Sequence, residues 1–76
     1  IYFDTVDTQG HRFGPDSAEV NEALAEVDAR IGELVDGAMA LGVPVNWVIV
    51  ADHGMRATDE SRVIQLDDLI DRASYI

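Results

Sequence analysis

Two short stretches of this 76-residue chain carry residues able to do chemistry, "VDTQGH" at 6–11 and "VIVADHGM" at 48–55. Asp7 and His11 lie four residues apart, Asp52 and His53 are adjacent, and these are the only two histidines present. Carboxylate oxygen and neutral imidazole nitrogen are good ligands for zinc, manganese or iron. Gly10 would let a loop fold back so that His11 faces an ion held by Asp7. Asp52 and His53 would face opposite sides of a regular strand, and converge only if the strand ends there, which Gly54 favours. Each pair then offers half of a four-coordinate shell. Two ions about 3.5–4 Å apart can activate a nucleophile and together stabilise charge on a phosphoryl group. Taken alone, an Asp-x-x-x-His is more often a turn residue beside an unrelated surface histidine. It is the recurrence of the pair that gives it weight.

The elements that must position these pairs follow from periodicity. Residues 1–6, "IYFDTV", are aromatic and β-branched and predict a strand, with Asp4 as a surface acid at its end. Residues 7–16 hold two glycines and a proline and predict a loop. Asp16 stands three before Glu19, a capping-box spacing, with Ser17 a rival cap. From there Val20, Leu24, Val27, Ile31, Leu34, Ala38 and Leu41 recur at steps of four and three, the apolar stripe of a long helix. Glu26 and Arg30 are spaced for an i,i+4 pair, Gly42 and Pro44 supply the stop, and Gly32 and Gly37 suggest close packing on a sheet.

"NWVIVA" at 46–51 predicts a strand buried on both faces of a parallel sheet, with Trp47 in the core. Residues 52–61 predict a second loop, "RVIQL" a short strand and "DDLIDRA" the start of another helix. The order predicts an α/β, parallel-sheet βαβ unit with a right-handed crossover. Loops 7–16 and 52–61 would then leave the same carboxyl edge of the sheet, where open α/β folds bind ligands.

Composition narrows the function classes. Fifteen acids against five bases, all arginine, give a net charge of −10, which repels nucleic-acid backbones. Most of those acids form a solvated face. The longest apolar run, "WVIVA", is far short of the roughly 20 residues that span a bilayer. Without cysteine there is neither a disulfide framework nor a thiolate site. The chain starts inside a predicted strand, without a leader, and ends on "SYI". Residues 1–76 therefore read as an internal piece of a longer chain, incomplete at both ends, and such a piece should be at best molten or oligomeric alone.

"YFDTVDTQGHRFGPDS" together with "VIVADHGM" resembles the type I nucleotide pyrophosphatase/phosphodiesterase family of the alkaline phosphatase superfamily. The pattern is an acid, three residues and a histidine, then Gly-Pro, a helix, and a strand ending in Asp-His-Gly-Met. The resemblance implies an alkaline-phosphatase-like catalytic domain and a metal-dependent enzyme with two Zn²⁺, Mn²⁺ being an alternative. Asp7 and His11 would ligate one ion, Asp52 and His53 the other. Tyr2 stands where relatives carry a substrate-lining tyrosine, although simple strand packing accounts for it equally well. The implied substrate is a small phosphoester such as a nucleotide, and the implied location secreted or periplasmic.

The family's nucleophile is a threonine outside this segment. Thr5, Thr8 and Thr58 do not match its position, so the piece should not catalyse alone. Arg56 and Arg62 read as surface residues. Monoester phosphatases, phosphonoacetate hydrolases and phosphoglycerate mutases share the core pattern, though Met55 and Gly14-Pro15 favour the phosphodiesterases over the mutases. A catalytically degenerate binding domain is the alternative from another class.

Overall fold

Helices form where the local signals are strongest. In the computed structural model, which describes residues 1–74, helix α1 spans Thr5–Phe13 and helix α2 spans Ala18–Ala40. The expectation of a strand over 1–6 and a loop over 7–16 is thereby corrected. The Thr8 amide donates to the Asp4 carbonyl at 2.9 Å, closing the first turn of α1. Asp7 lies in that first turn and His11 and Arg12 in the last, the order that complements the helix dipole. Gly14 stops the helix at φ 90°, its amide bonded to the Gly10 carbonyl. Pro15 follows directly, so the glycine and proline that suggest a loop serve here as a helix terminus.

Ser17, not Asp16, caps α2. Its hydroxyl accepts from the Val20 amide at 3.3 Å and donates to the Gly14 carbonyl at 2.7 Å, so one side chain ties the exit of α1 to the entry of α2. At the other end Gly42 adopts φ 67° and its amide reaches the Met39 carbonyl at 3.0 Å. The two helices pack on each other, and Gly10 of α1 and Val20 and Ala23 of α2 are buried. Farther along α2, Val27, Ile31, Val35 and Ala38 are half-buried. Leu24, which the stripe predicts inside, is 51% exposed, and Ala23 takes its place. Arg30 grips Glu33 through both carboxylate oxygens, at 2.9 and 2.8 Å, in place of the expected pair with Glu26.

Beyond Gly42 the chain runs extended. Among the described residues there is no β-strand, and residues 43–58 make no backbone–backbone hydrogen bond. The α/β, parallel-sheet βαβ architecture predicted from the sequence is therefore overturned. A strand is defined by a ladder to a neighbouring strand, and neither 1–6 nor 46–51 has one. Val48 and Val50 are each 83% exposed, Trp47 is also exposed, and a Cβ at Gly32 or Gly37 would meet nothing within 4 Å. The short strand and second helix expected after residue 61 are likewise absent. Three single turns of 3-10 helix stand there, Glu60–Arg62, Leu66–Asp68 and Arg72–Ser74. Tyr75 and Ile76, the end of the "SYI" stretch, lie outside the described residues.

The consequence is an open shape. The radius of gyration is 20.1 Å, against about 11 Å for a compact domain of this length. The accessible surface is 6842 Å², against roughly 4,600 Å² for a folded monomer of this mass. With the sheet goes the edge that was to gather the two motifs. What gathers them is α1.

Candidate metal centre

Because Asp7 and His11 are four apart on a helix and not in a loop, they share one face of α1 a single turn apart. The His11 Nε2 lies 3.5 Å from Asp7 Oδ1. The second pair comes from the extended segment, which bends at Asp52. That bend lets the adjacent Asp52 and His53 converge, with His53 Nε2 at 3.6 Å from Asp52 Oδ2 and the His53 amide donating to Asp52 Oδ1 at 3.1 Å. The same His53 Nε2 also lies 3.7 Å from Asp7 Oδ1. The two pairs are thus not separate. Asp7 faces both histidines, and His53 stands between the two aspartates.

These separations exceed hydrogen-bond length. Asp7 Oδ1 is buried and has no hydrogen-bond partner, although a carboxylate oxygen shut away from water costs free energy when unpaired. Two ligands on a tetrahedral ion with bonds of about 2.0–2.1 Å lie roughly 3.3–3.4 Å apart. The distances of 3.5–3.7 Å are close to that spacing. Among the described residues no group of three or more His, Cys, Asp or Glu side chains is placed to hold a metal ion. The donor types and the orphaned oxygen fit a divalent cation, while the shell as it stands is partial.

His53 is further prepared by its other nitrogen. Nδ1 lies 3.0 Å from the Gly54 carbonyl, which can only accept, so the proton sits on Nδ1 in the neutral ring and the Nε2 lone pair faces the carboxylates. The same Gly54 contact, followed by the charges of Asp52 and, against some desolvation, Asp7, holds the His53 pKa above its ordinary 6.5. The site opens onto an apolar groove of ≈ 830 Å³, whose walls include Tyr2, Phe3, Asp7, Asp52 and His53. Tyr2 is exposed at its mouth.

Sequence reasoning named Gly10 and Met55 but missed that they meet. Gly10 is buried on α1 one turn from Asp7, and a Cβ built there would lie 2.5 Å from Met55 Sδ and 3.0 Å from Met55 Cε. The glycine is not needed for a folded-back loop. It leaves room for the methionine that ends "DHGM". Asp4 stands exposed at the N-terminus of α1, and Arg62 turns away from the site to the Ala57 carbonyl at 3.3 Å.

Comparison with known proteins bears on what such a site serves. The sequence model of the family described as type I phosphodiesterase / nucleotide pyrophosphatase matches residues 1–76. An uncharacterized pyrophosphatase/phosphodiesterase of Schizosaccharomyces pombe is 44% identical over 70 residues, 90% of this chain and 14% of its own length. The bis(5'-adenosyl)-triphosphatase of Mus musculus is 38% identical over 78 residues, covering 99% of this chain and 17% of its own. The venom phosphodiesterase of Macrovipera lebetinus is 34% identical over 77 residues, 99% of this chain and 9% of that protein. The chain thus spans under a fifth of the length of the curated relatives it matches. No solved structure matches it. No helix among the described residues is long and apolar enough to cross a membrane.

Proposed function

We propose, from the premise that this chain belongs to the type I phosphodiesterase / nucleotide pyrophosphatase family, that it supplies ligands of a two-zinc centre hydrolysing phosphodiester or pyrophosphate bonds. Asp7, His11, Asp52 and His53 are the ligands, with manganese as the alternative metal. The observation that carries this reading is Asp7 Oδ1, a buried oxygen without a hydrogen-bond partner that has two imidazole Nε2 atoms at 3.5 and 3.7 Å. The names of the relatives support a nucleotide as the substrate class, since several are bis(5'-adenosyl)-triphosphatases.

When bound, the ions would lower the pKa of a nucleophile and stabilise charge on the phosphoryl oxygens. The chain's own residues have simpler tasks. Helix α1 fixes Asp7 and His11 relative to each other. The Gly54 carbonyl holds the His53 proton on Nδ1 and so keeps Nε2 free as a donor. The groove that starts at the carboxylates offers Tyr2 and Phe3 as apolar cover for a bound organic group. No nucleophile is assigned here: Thr5 and Thr8 belong to α1 and Thr58 to the extended segment, and none matches the family's position.

The test uses the zinc-loaded protein that carries this chain. Bis(p-nitrophenyl) phosphate and p-nitrophenyl phosphate are offered side by side, with and without a chelator. Chelator-sensitive preference for the diester is expected. Preference for the monoester would keep the site and turn the function into a phosphatase. Turnover of the diester untouched by chelator would overturn the metal reading.

A further inference from the structure

Residues 43–58 carry the Asp52–His53 half of the site, yet no hydrogen bond among the described residues joins this segment to α1 or α2. Beyond the His53–Asp7 contact at 3.7 Å, packing must hold it beside Asp7. Met55 lies two residues after His53, and its thioether fills the space that a side chain at position 10 would take. Gly10 sits on α1 three residues after Asp7, the spacing that puts those two on neighbouring turns of one side of the helix. The floor of this notch is Val20 of α2, whose Cγ2 lies 3.9 Å from a Cβ built at Gly10 and which is 7% exposed. A methionine suits such a seat, being unbranched, polarizable and able to fill an irregular gap.

The geometry points to Met55, seated in the notch at Gly10, as the positioning residue that holds Asp52 and His53 against Asp7 and His11. This rests on the metal reading for its purpose but not for the contact itself. The glycine is costly inside a helix, since alanine there would strengthen α1. Its presence is accounted for by what lies over it. Only a residue without a Cβ lets the sulphur come this close.

Two readouts on the full chain test the proposal, with Gly10→Ala, Met55→Ala and the double variant beside wild type. In the metal-free state, nuclear Overhauser effects between the His53 ring and the Asp7 β-protons report whether the loop is in place. Zinc affinity by calorimetry reports whether the placement matters. Met55→Ala is expected to abolish the Overhauser effects and weaken zinc at least tenfold, and Gly10→Ala, which the flexible thioether can partly evade, to weaken both by less, with α1 retained by circular dichroism. The double variant is expected to be no worse than Met55→Ala alone, because the added methyl no longer displaces anything. Persistence of the effects in both single variants overturns the proposal whatever zinc does, as does full additivity in the double variant. Loss of the effects with zinc affinity unchanged, or absent from wild type, sustains the positioning contact and overturns the metal reading instead.

Discussion

The two halves of this chain solve the problem of backbone hydrogen bonding differently. Residues 5–42 solve it within themselves: two helices, a serine cap, glycine stops at φ 90° and 67°, and a seam that buries Gly10, Val20 and Ala23. Residues 43–74 hold apolar side chains as good as any in the first half, and, Met55 apart, leave most of their surface in water. Val48 and Val50 are five-sixths exposed while Val20 is 7% exposed. The difference lies in where the partner comes from. A helix closes its ladder four residues away, whereas an extended run must find a neighbour elsewhere in space. Hydrophobicity without that neighbour does not become a core.

The site straddles this divide, with Asp7 and His11 on the ordered half and Asp52 and His53 on the open one. The largest effect should come from cutting the bridge between them. In the zinc-loaded protein that carries this chain, Asp52→Ala is expected to cost more than ~100-fold in diester hydrolysis, beyond the 10–100-fold typical of losing a mere supporting partner. Bound zinc, counted by mass spectrometry, should fall with it. Unchanged turnover would remove the open half from the chemistry.

Next in size is the contrast between the halves themselves. In the metal-free chain, amides of residues 24–38 should exchange with deuterium slower than those of 46–51 by about two orders of magnitude. Equal protection would mean that the extended run finds a partner in solution, and the comparison would break. A smaller change sharpens it from the other side. Ser17→Ala removes the cap and the link to Gly14, and should cost about 1 kcal/mol in the thermal unfolding of the helical pair. Exchange over 46–51 should not change.

The finest effect concerns His53, whose pKa is raised first by the Gly54 carbonyl, then by Asp52 and Asp7. A raised value means that the folded arrangement of residues 52–54, and to a smaller degree its place beside Asp7, gains from protonation. That gain is complete below about 6.5 and is lost as pH climbs through the raised value. Metal pulls the other way, since it needs the neutral ring, so zinc affinity should rise across the same window in which the proton's contribution fades. An NMR titration of the metal-free chain checks the first part: Asp52→Asn should lower the His53 pKa. A value that does not move would detach His53 from Asp52.

How much of this was legible in the sequence follows the same divide. Helix α2 could be read because its signals are local: Ser17 before it, Gly42 and Pro44 after it, and Val20, Val27 and Ile31 at helical spacing. Helix α1 was legible too, through Asp7 early, His11 and Arg12 late, and Gly14-Pro15 as a stop. The glycines outweighed those signs and suggested a loop. The reading of 46–51 as a buried strand was right about composition and wrong about structure, because pairing is not a property of the segment. Asp7, His11, Asp52 and His53 could be named as residues, but not the sharing of Asp7 between both histidines. The notch at Gly10 was out of reach. Nothing in "DTQGH" says that a sulphur forty-five positions later will lie over its glycine.

The corner at Gly14–Ser17 has a practical side for anyone who would splice, tag or cut this chain. Its Ser17 hydroxyl serves both helices at once, so an insertion there would uncouple α1 from α2 and carry Asp7 away from its surroundings. Around Ala57 and Thr58 the backbone is exposed and bound to no other backbone group, which is where added sequence is best tolerated and where proteases cut first. A reporter placed at that point would ride on the open half and leave the helical pair as it is.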